Sequence, residues 1–235
     1  MEKPLSEENP WIQYRPNYLH PLDVEIVKNL NEKIRKAEHR MRGDIPPAPF
    51  KGKVLEAKVI VLMKNPGFDE RENEEGFYNK FGYLFIEQAR MNYSVLDSPL
   101  FYNDAYKKVS DYWYKRFKGL CSALDKQGVD GEHVVANNVA TINFYPYHSI
   151  DFPVMKFEEF ILPTQRFSFS LVEKAIKRNA LIVLVRGEKL WFENVEGLKN
   201  YPHIIRLNSD QNSYITERNC GGAENWQRLV NALTE

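Results

Sequence analysis

The sequence predicts an α/β protein, a three-layer α/β/α sandwich around a central, mainly parallel four-stranded sheet. Three observations carry that expectation. Short apolar runs are continuous rather than alternating, as in strands covered on both faces. Amphipathic stretches of helical spacing lie between them. Each run opens onto a loop of Asn, Pro, Gly, His or Arg, where sheets of this class bind ligands.

Taken in order, residues 1 to 21 carry prolines and aromatics without periodicity and read as an extended arm over the domain. Ile26, Val27, Leu30, Ile34 and Ala37 then recur at helical spacing in a charged stretch. Asp44-Ile45-Pro46-Pro47-Ala48-Pro49 stops that helix, because consecutive prolines cannot continue it. Residues 1–50 are thus expected to be an arm and helix packing on a single α/β/α domain at 51–235.

The strands are expected at Val59-Ile60-Val61-Leu62-Met63, at Val139-Ala140-Thr141-Ile142-Asn143-Phe144-Tyr145, at Ala180-Leu181-Ile182-Val183-Leu184-Val185 and at His203-Ile204-Ile205-Arg206-Leu207. Helices are expected near 76–91, 101–126, 164–179 and 222–233, the last punctuated by Gly221-Gly222.

Composition narrows the function. The chain has 235 residues, of which 43% are hydrophobic and 27% charged, the balance of a globular domain. No apolar run approaches the roughly 18 residues a membrane span needs. The polar, acidic opening lacks the pattern of a secretory signal, so a cytoplasmic protein is expected. Cys121 and Cys220 stand far apart and are expected to be reduced. Neither CxxC nor HExxH occurs, so no metal is expected. Thirty-two Lys+Arg balance thirty-two Asp+Glu, which excludes bulk coating of DNA and leaves room for a local basic groove. Neither GxGxxG nor GxxxxGK[ST] is present, removing the usual support for dinucleotide binding and nucleotide hydrolysis.

The loops hold the chemistry. Asn65-Pro66-Gly67-Phe68 follows the first strand directly, setting a carboxamide at a strand end before a tight turn; turn formation alone would also explain it. Asn143-Phe144-Tyr145-Pro146-Tyr147-His148 ends the second strand. A carboxamide there can read the edge of a pyrimidine while an aromatic ring stacks on its face. One of Phe144 and Tyr145 must be core, because side chains alternate. Arg186-Gly187 after the third strand would contact a phosphate, or form a βα turn with Arg186 paired to a surface carboxylate.

Asn65-Pro66-Gly67-Phe68 together with Asn143-Phe144-Tyr145-Pro146-Tyr147 resembles the uracil-DNA glycosylase superfamily, nearest its single-strand-selective and mismatch-specific branches. The resemblance covers roughly residues 54 to 233. It implies that Asn65 positions the attacking water, that Pro66, Gly67 and Phe68 lie close to the base, and that Asn143 reads it, with Tyr145 beside it. It also implies DNA, single-stranded or mismatched, as partner, and neither metal nor organic cofactor. The family's last motif, His-Pro-Ser with an intercalating loop, corresponds to Leu207-Asn208-Ser209-Asp210-Gln211-Asn212. Ser209 and Asn212 are kept, Gln211 falls in the loop, and Leu207 replaces the histidine that stabilises the departing base. Lys64 also departs from the small or apolar residue usual before the first Asn. His148, one loop away, is the expected substitute for that histidine, and Asp69 the alternative base. Two rival readings remain: an inactive nucleic-acid or protein binding module on the same fold, favoured by Leu207, and an enzyme acting on a free nucleoside or nucleotide, favoured by the neutral charge.

Overall fold

A computed structural model describes residues 8–13, 19–68, 70, 76–150, 160–209 and 211–235. They form an α/β fold on one mixed sheet of five strands: β1 (Phe50–Lys51), β2 (Val59–Met63), β3 (Val139–Asn143), β4 (Leu181–Leu184) and β5 (Ile204–Arg206). The order is β1-β3-β2-β4-β5. β3, β2, β4 and β5 run parallel, with Val61 opposite Thr141 and Val183. Strand β1, which the expected four-stranded sheet omitted, pairs antiparallel with β3 through Phe50↔Ile142 and Lys51↔Thr141. Two residues squeezed between a proline run and Gly52 have no periodicity to announce them.

Alternation along the strands sends side chains to two covered faces. Ile60, Leu62, Ala140, Ile142 and Ile182 pack under α1 (Val24–Lys33) and the helices Gln165–Lys177 and Glu188–Asn194. Val59, Val61, Met63, Val139 and Val183 pack under Tyr112–Asp125, Gly131–Asn138 and Ala223–Thr234. The N-terminal segment belongs to the first of these cores: Trp11, Val27, Leu30 and Met41 are buried with Phe144 and Tyr147. Asp23 ties it down, accepting from the Tyr147 hydroxyl at 2.7 Å and the Thr164 hydroxyl at 2.6 Å.

The helix expected over 101–126 is two helices, Asp104–Val109 and Tyr112–Asp125. The Asn103 side chain caps the first by accepting from the Tyr106 N–H at 2.8 Å, and Ser110 turns extended between them. α1 ends at Lys33, short of Ala37, although Ile34 is still buried. Gly131–Asn138 and Glu188–Asn194 are helices that the apolar pattern did not announce. No helix among the described residues is long and apolar enough to cross a membrane.

Candidate functional site

β2 lies between β3, its successor in sequence, and β4, so the chain reverses its winding direction around β2. A crevice opens at such a switch point, beyond the carboxyl ends of the strands. Here it is a cleft of about 960 Å³, and its lining includes Asn65, Pro66, Gly67, Phe68, Asn143, His148, Arg186, Gly187 and Gln211. Two expected loops are laced together beneath it. The N–H groups of Phe144 and Tyr145 bond the carbonyls of Met63 and Lys64, and the Ser149 N–H bonds Pro66 O at 3.3 Å.

Asn65 is half-buried at this seam. Its Nδ2 donates to the Ser149 hydroxyl at 3.0 Å, to Ser149 O at 3.4 Å and to Pro66 O at 3.0 Å. Those bonds hold the carboxamide in one orientation, and Oδ1 has no hydrogen bond among the described residues. Asn143 stands on the adjacent strand, opposite Met63. It is buried, its Nδ2 donating to Ala48 O at 2.7 Å and its backbone N–H to Pro49 O at 2.8 Å. The proline run thus clamps this residue in place. Phe68 is already engaged: its ring stacks on Tyr78 at 6.0 Å and the Arg42 guanidinium lies 4.2 Å from its centroid. Arg42 is fixed in turn by a bidentate ion pair with Asp44.

His148 is buried in a nook of aromatic rings, edge-on to Tyr78 at 5.3 Å and Phe85 at 5.8 Å. Nδ1 lies 2.6 Å from Gly67 O; a carbonyl only accepts, so Nδ1 carries the proton. Burial pushes the imidazole pKa down to about 4, aided by the charges of Lys51 and Arg42 and opposed by the Gly67 and Pro46 carbonyls. At neutral pH Nε2 is therefore a lone pair, buried and without a hydrogen bond of ordinary geometry. This corrects the expected role: His148 cannot donate to a departing base.

Tyr145 is corrected as well. Both it and Phe144 are fully buried in the core under Gln165–Lys177, and Tyr145 is not part of the cleft wall. Two successive residues enter one core because regular strand pairing ends at Asn143. Leu207 is buried with Val185, Ile205 and Ile215, also away from the cleft. Ser209 and Asn212 serve their own loop: the Ser209 hydroxyl accepts from the Asn212 N–H at 3.1 Å, and Asn212 Oδ1 accepts from the Tyr214 N–H at 3.0 Å. Arg186 reaches across to Gln211 O at 3.1 Å, closing one rim. Gly187, at φ +79°, begins the Glu188–Asn194 helix. Asp69 lies outside the described residues.

The fold brings further residues to the site from outside the strand-end loops. Lys51, Tyr78, Phe85, Tyr106, Tyr112, Trp113 and Arg116 line the cleft from elements distant in sequence. Arg116 is set against the Tyr112 ring at 3.5 Å and bonds the Ser213 hydroxyl at 3.0 Å. Tyr106, Trp113 and Arg116 belong to a stretch, 106–118, in which basic and aromatic residues interleave at helical spacing, a pattern that fits either a nucleic-acid face or a helix with one buried and one solvated side. Lys51, Lys64, Arg116, Arg186 and Lys189 face one carboxylate, Glu188, among the described lining residues. Glu188 is itself paired with Arg206 at 2.8 Å. Among the described residues, cations thus outnumber carboxylates at this opening.

Both cysteines are free, with burial pushing the Cys121 thiol up to about 12 and the Cys220 thiol up to about 11. No group of three or more His, Cys, Asp or Glu among the described residues is placed to hold a metal ion. Compared with family models, curated proteins and solved structures, the chain matches none.

Proposed function

We propose that this chain is a uracil-DNA glycosylase-like protein of the cytoplasm that takes a base of single-stranded or mismatched DNA into the cleft and hydrolyses its N-glycosidic bond. The observation that carries the reading is one juxtaposition. Two oriented carboxamides, Asn65 and Asn143, stand at the ends of adjacent parallel strands in a cleft walled by aromatic rings and lined, among the described residues, by five cations against one carboxylate. Cations at the rim suit phosphates, ring faces suit a base, and carboxamides suit its pairing edge.

In the reaction the C1′–N bond breaks with its electron pair leaving on the base. Water adds its oxygen to C1′ and releases a proton to solvent, and the departing base anion takes up a proton. The Oδ1 of Asn65 orients that water by accepting one of its hydrogens. A carboxamide is too weak a base to remove the proton early, so catalysis rests on positioning and electrostatics.

The test is alkaline strand cleavage of labelled single-stranded and mismatched oligonucleotides containing uracil, with Asn65→Ala beside the parent protein. Cleavage by the parent, reduced about 100-fold or more in the variant, is the expected result. A folded parent inactive at enzyme excess would overturn hydrolysis. That outcome would favour the second reading, a binding module, whose support is the burial of Leu207 away from the cleft and the donation of the His148 proton to Gly67.

A further inference from the structure

The helix Tyr112–Asp125 begins at the cleft, with Ser110, Tyr112, Trp113 and Arg116 in the lining. Its N-cap is Asp111, whose side chain makes no capping hydrogen bond. The N–H groups of Tyr112, Trp113 and Tyr114 therefore have no acceptor among the described residues, and the positive end of the helix dipole lies at the opening.

Side chains lean back towards the start of their helix, and Arg116, four residues after Tyr112, reaches over that start. Its Nη1 donates to Tyr112 O at 3.3 Å and its Nε to the Ser213 hydroxyl at 3.0 Å. The guanidinium lies 3.5 Å from the Tyr112 ring centroid and 5.0 Å from that of Tyr214. Two bonds and two rings thus orient it. Among the described residues Nη2 has no hydrogen bond and the side chain no ion pair. Ser110, just before the N-cap, is only 6% exposed and lines the same wall. Its N–H bonds Tyr106 O at 2.9 Å, and its hydroxyl has no hydrogen bond among the described residues. The acid nearest in sequence, Asp111, is paired with Lys115 at 2.7 Å and is not part of the cleft wall. A cation over a helix start stands at the end where the dipole disfavours it, so a bound anion relieves both. Open amides, an unpartnered hydroxyl and a free guanidinium edge are the donors that phosphate oxygens take up.

We propose that Ser110, the start of the helix Tyr112–Asp125 and Arg116 form a phosphate-binding subsite of the cleft. It rests on the reading of the cleft as a base site and holds whether or not the glycosidic bond is cut. A phosphodiester of a single strand and the phosphomonoester of a free nucleotide share the required chemistry. The base is then held by the strand-end loops and the phosphate by the helix packed over the sheet.

The test is fluorescence anisotropy with full-length protein and single-stranded oligonucleotides carrying one 2′-fluorinated deoxyuridine, which resists cleavage. Each phosphate near that nucleotide is replaced in turn by a neutral methylphosphonate. One replacement should weaken binding to the parent about tenfold or more. Arg116→Gln should weaken the unmodified strand by a similar factor and lose its sensitivity to that replacement, because the two changes remove one interaction. Arg116→Lys should recover part of the affinity. Ser110→Ala should cost about threefold or more and reduce the same sensitivity, which keeps the test open where Arg116→Gln folds poorly. Competition by deoxyuridine and its 5′-monophosphate separates the two sources. A monophosphate about tenfold stronger than the nucleoside in the parent alone, with no sensitive linkage in the strand, would assign the subsite to a free nucleotide. Equal responses of parent and variants to every methylphosphonate and to the monophosphate would overturn the subsite and leave the base reading intact. A parent that binds neither strand, nucleoside nor nucleotide would overturn the base reading and this proposal with it.

Discussion

A histidine sealed under aromatic rings with its Nδ1 proton on a carbonyl behaves as an acceptor, and His148 is such a residue. Burial pushes its imidazole pKa down to about 4 in the fold, from an ordinary value of 6.5. The folded value is the lower one, so the unfolded state takes up the proton first as pH falls. The stabilisation is complete above pH 6.5 and is lost as the pH drops from 6.5 towards 4, about 3 kcal/mol in all. Urea unfolding at pH 7 and pH 4.5 should show the parent losing more stability than His148→Gln over the same interval. Parallel losses in the two proteins would refute the assignment. At the same scale, Asn65 and Asn143 could be picked out from the sequence because each stands at or just beyond the end of an apolar run. Lys51 could not, because its surroundings come from residues 85, 102 and 106.

Among the elements, β1 is the least conspicuous and the one on which the cleft depends most. It places Lys51 opposite Thr141 and ends at Gly52, whose φ is +88°. A Cβ added there would lie 2.5 Å from Val139 O and 2.9 Å from Ala140 Cα. Both the backbone angle and the contact exclude a side chain, so Gly52→Ala should destabilise the protein by about 2 kcal/mol or more and disturb β1 before the parallel strands. Hydrogen exchange can check this: accelerated exchange in the β1–β3 pairing with little change across β2–β4 is expected, and uniform behaviour of all strands would contradict it. The break at Ser110 has a comparable consequence. Asp104–Val109 turns Tyr106 towards Lys51, while Tyr112–Asp125 lies over the sheet. Apolar periodicity ran through 101–126 without interruption because both helices bury one face. The division depends on the Asn103 cap and the extended Ser110 backbone, which periodicity does not register.

For the whole molecule the informative quantity is where charge sits. Net charge is zero, yet Lys64, Arg116, Arg186 and Lys189 line one opening with the buried Lys51. If those four exposed or half-buried cations each neutralise a phosphate of a single strand, log K should fall against log salt with a slope of about −3. Lys189→Ala should reduce that slope by about 0.7, whereas binding of free uracil should be nearly independent of salt. Fluorescence titrations with a labelled single strand between low and physiological salt provide the measurement. A slope near zero would favour a free nucleoside as ligand. The N-terminal segment belongs to this scale too: Trp11 meets Tyr147 edge-on at 6.5 Å, and the Arg42 N–H bonds His148 O at 2.8 Å. Residues before β1 therefore help hold the loop that carries His148.

The α/β class, the positions of the four parallel strands and the two asparagine-bearing loops are local properties. Each is a run of buried side chains whose period and punctuation are already in the chain. Tertiary structure decided the antiparallel fifth strand, the inward turn of Tyr145, the protonation of His148 and the choice of Lys51 as the buried cation of the cleft. Those outcomes depend on which groups from distant segments surround a side chain, and burial, carbonyl contact and ring faces exist only after the chain has folded.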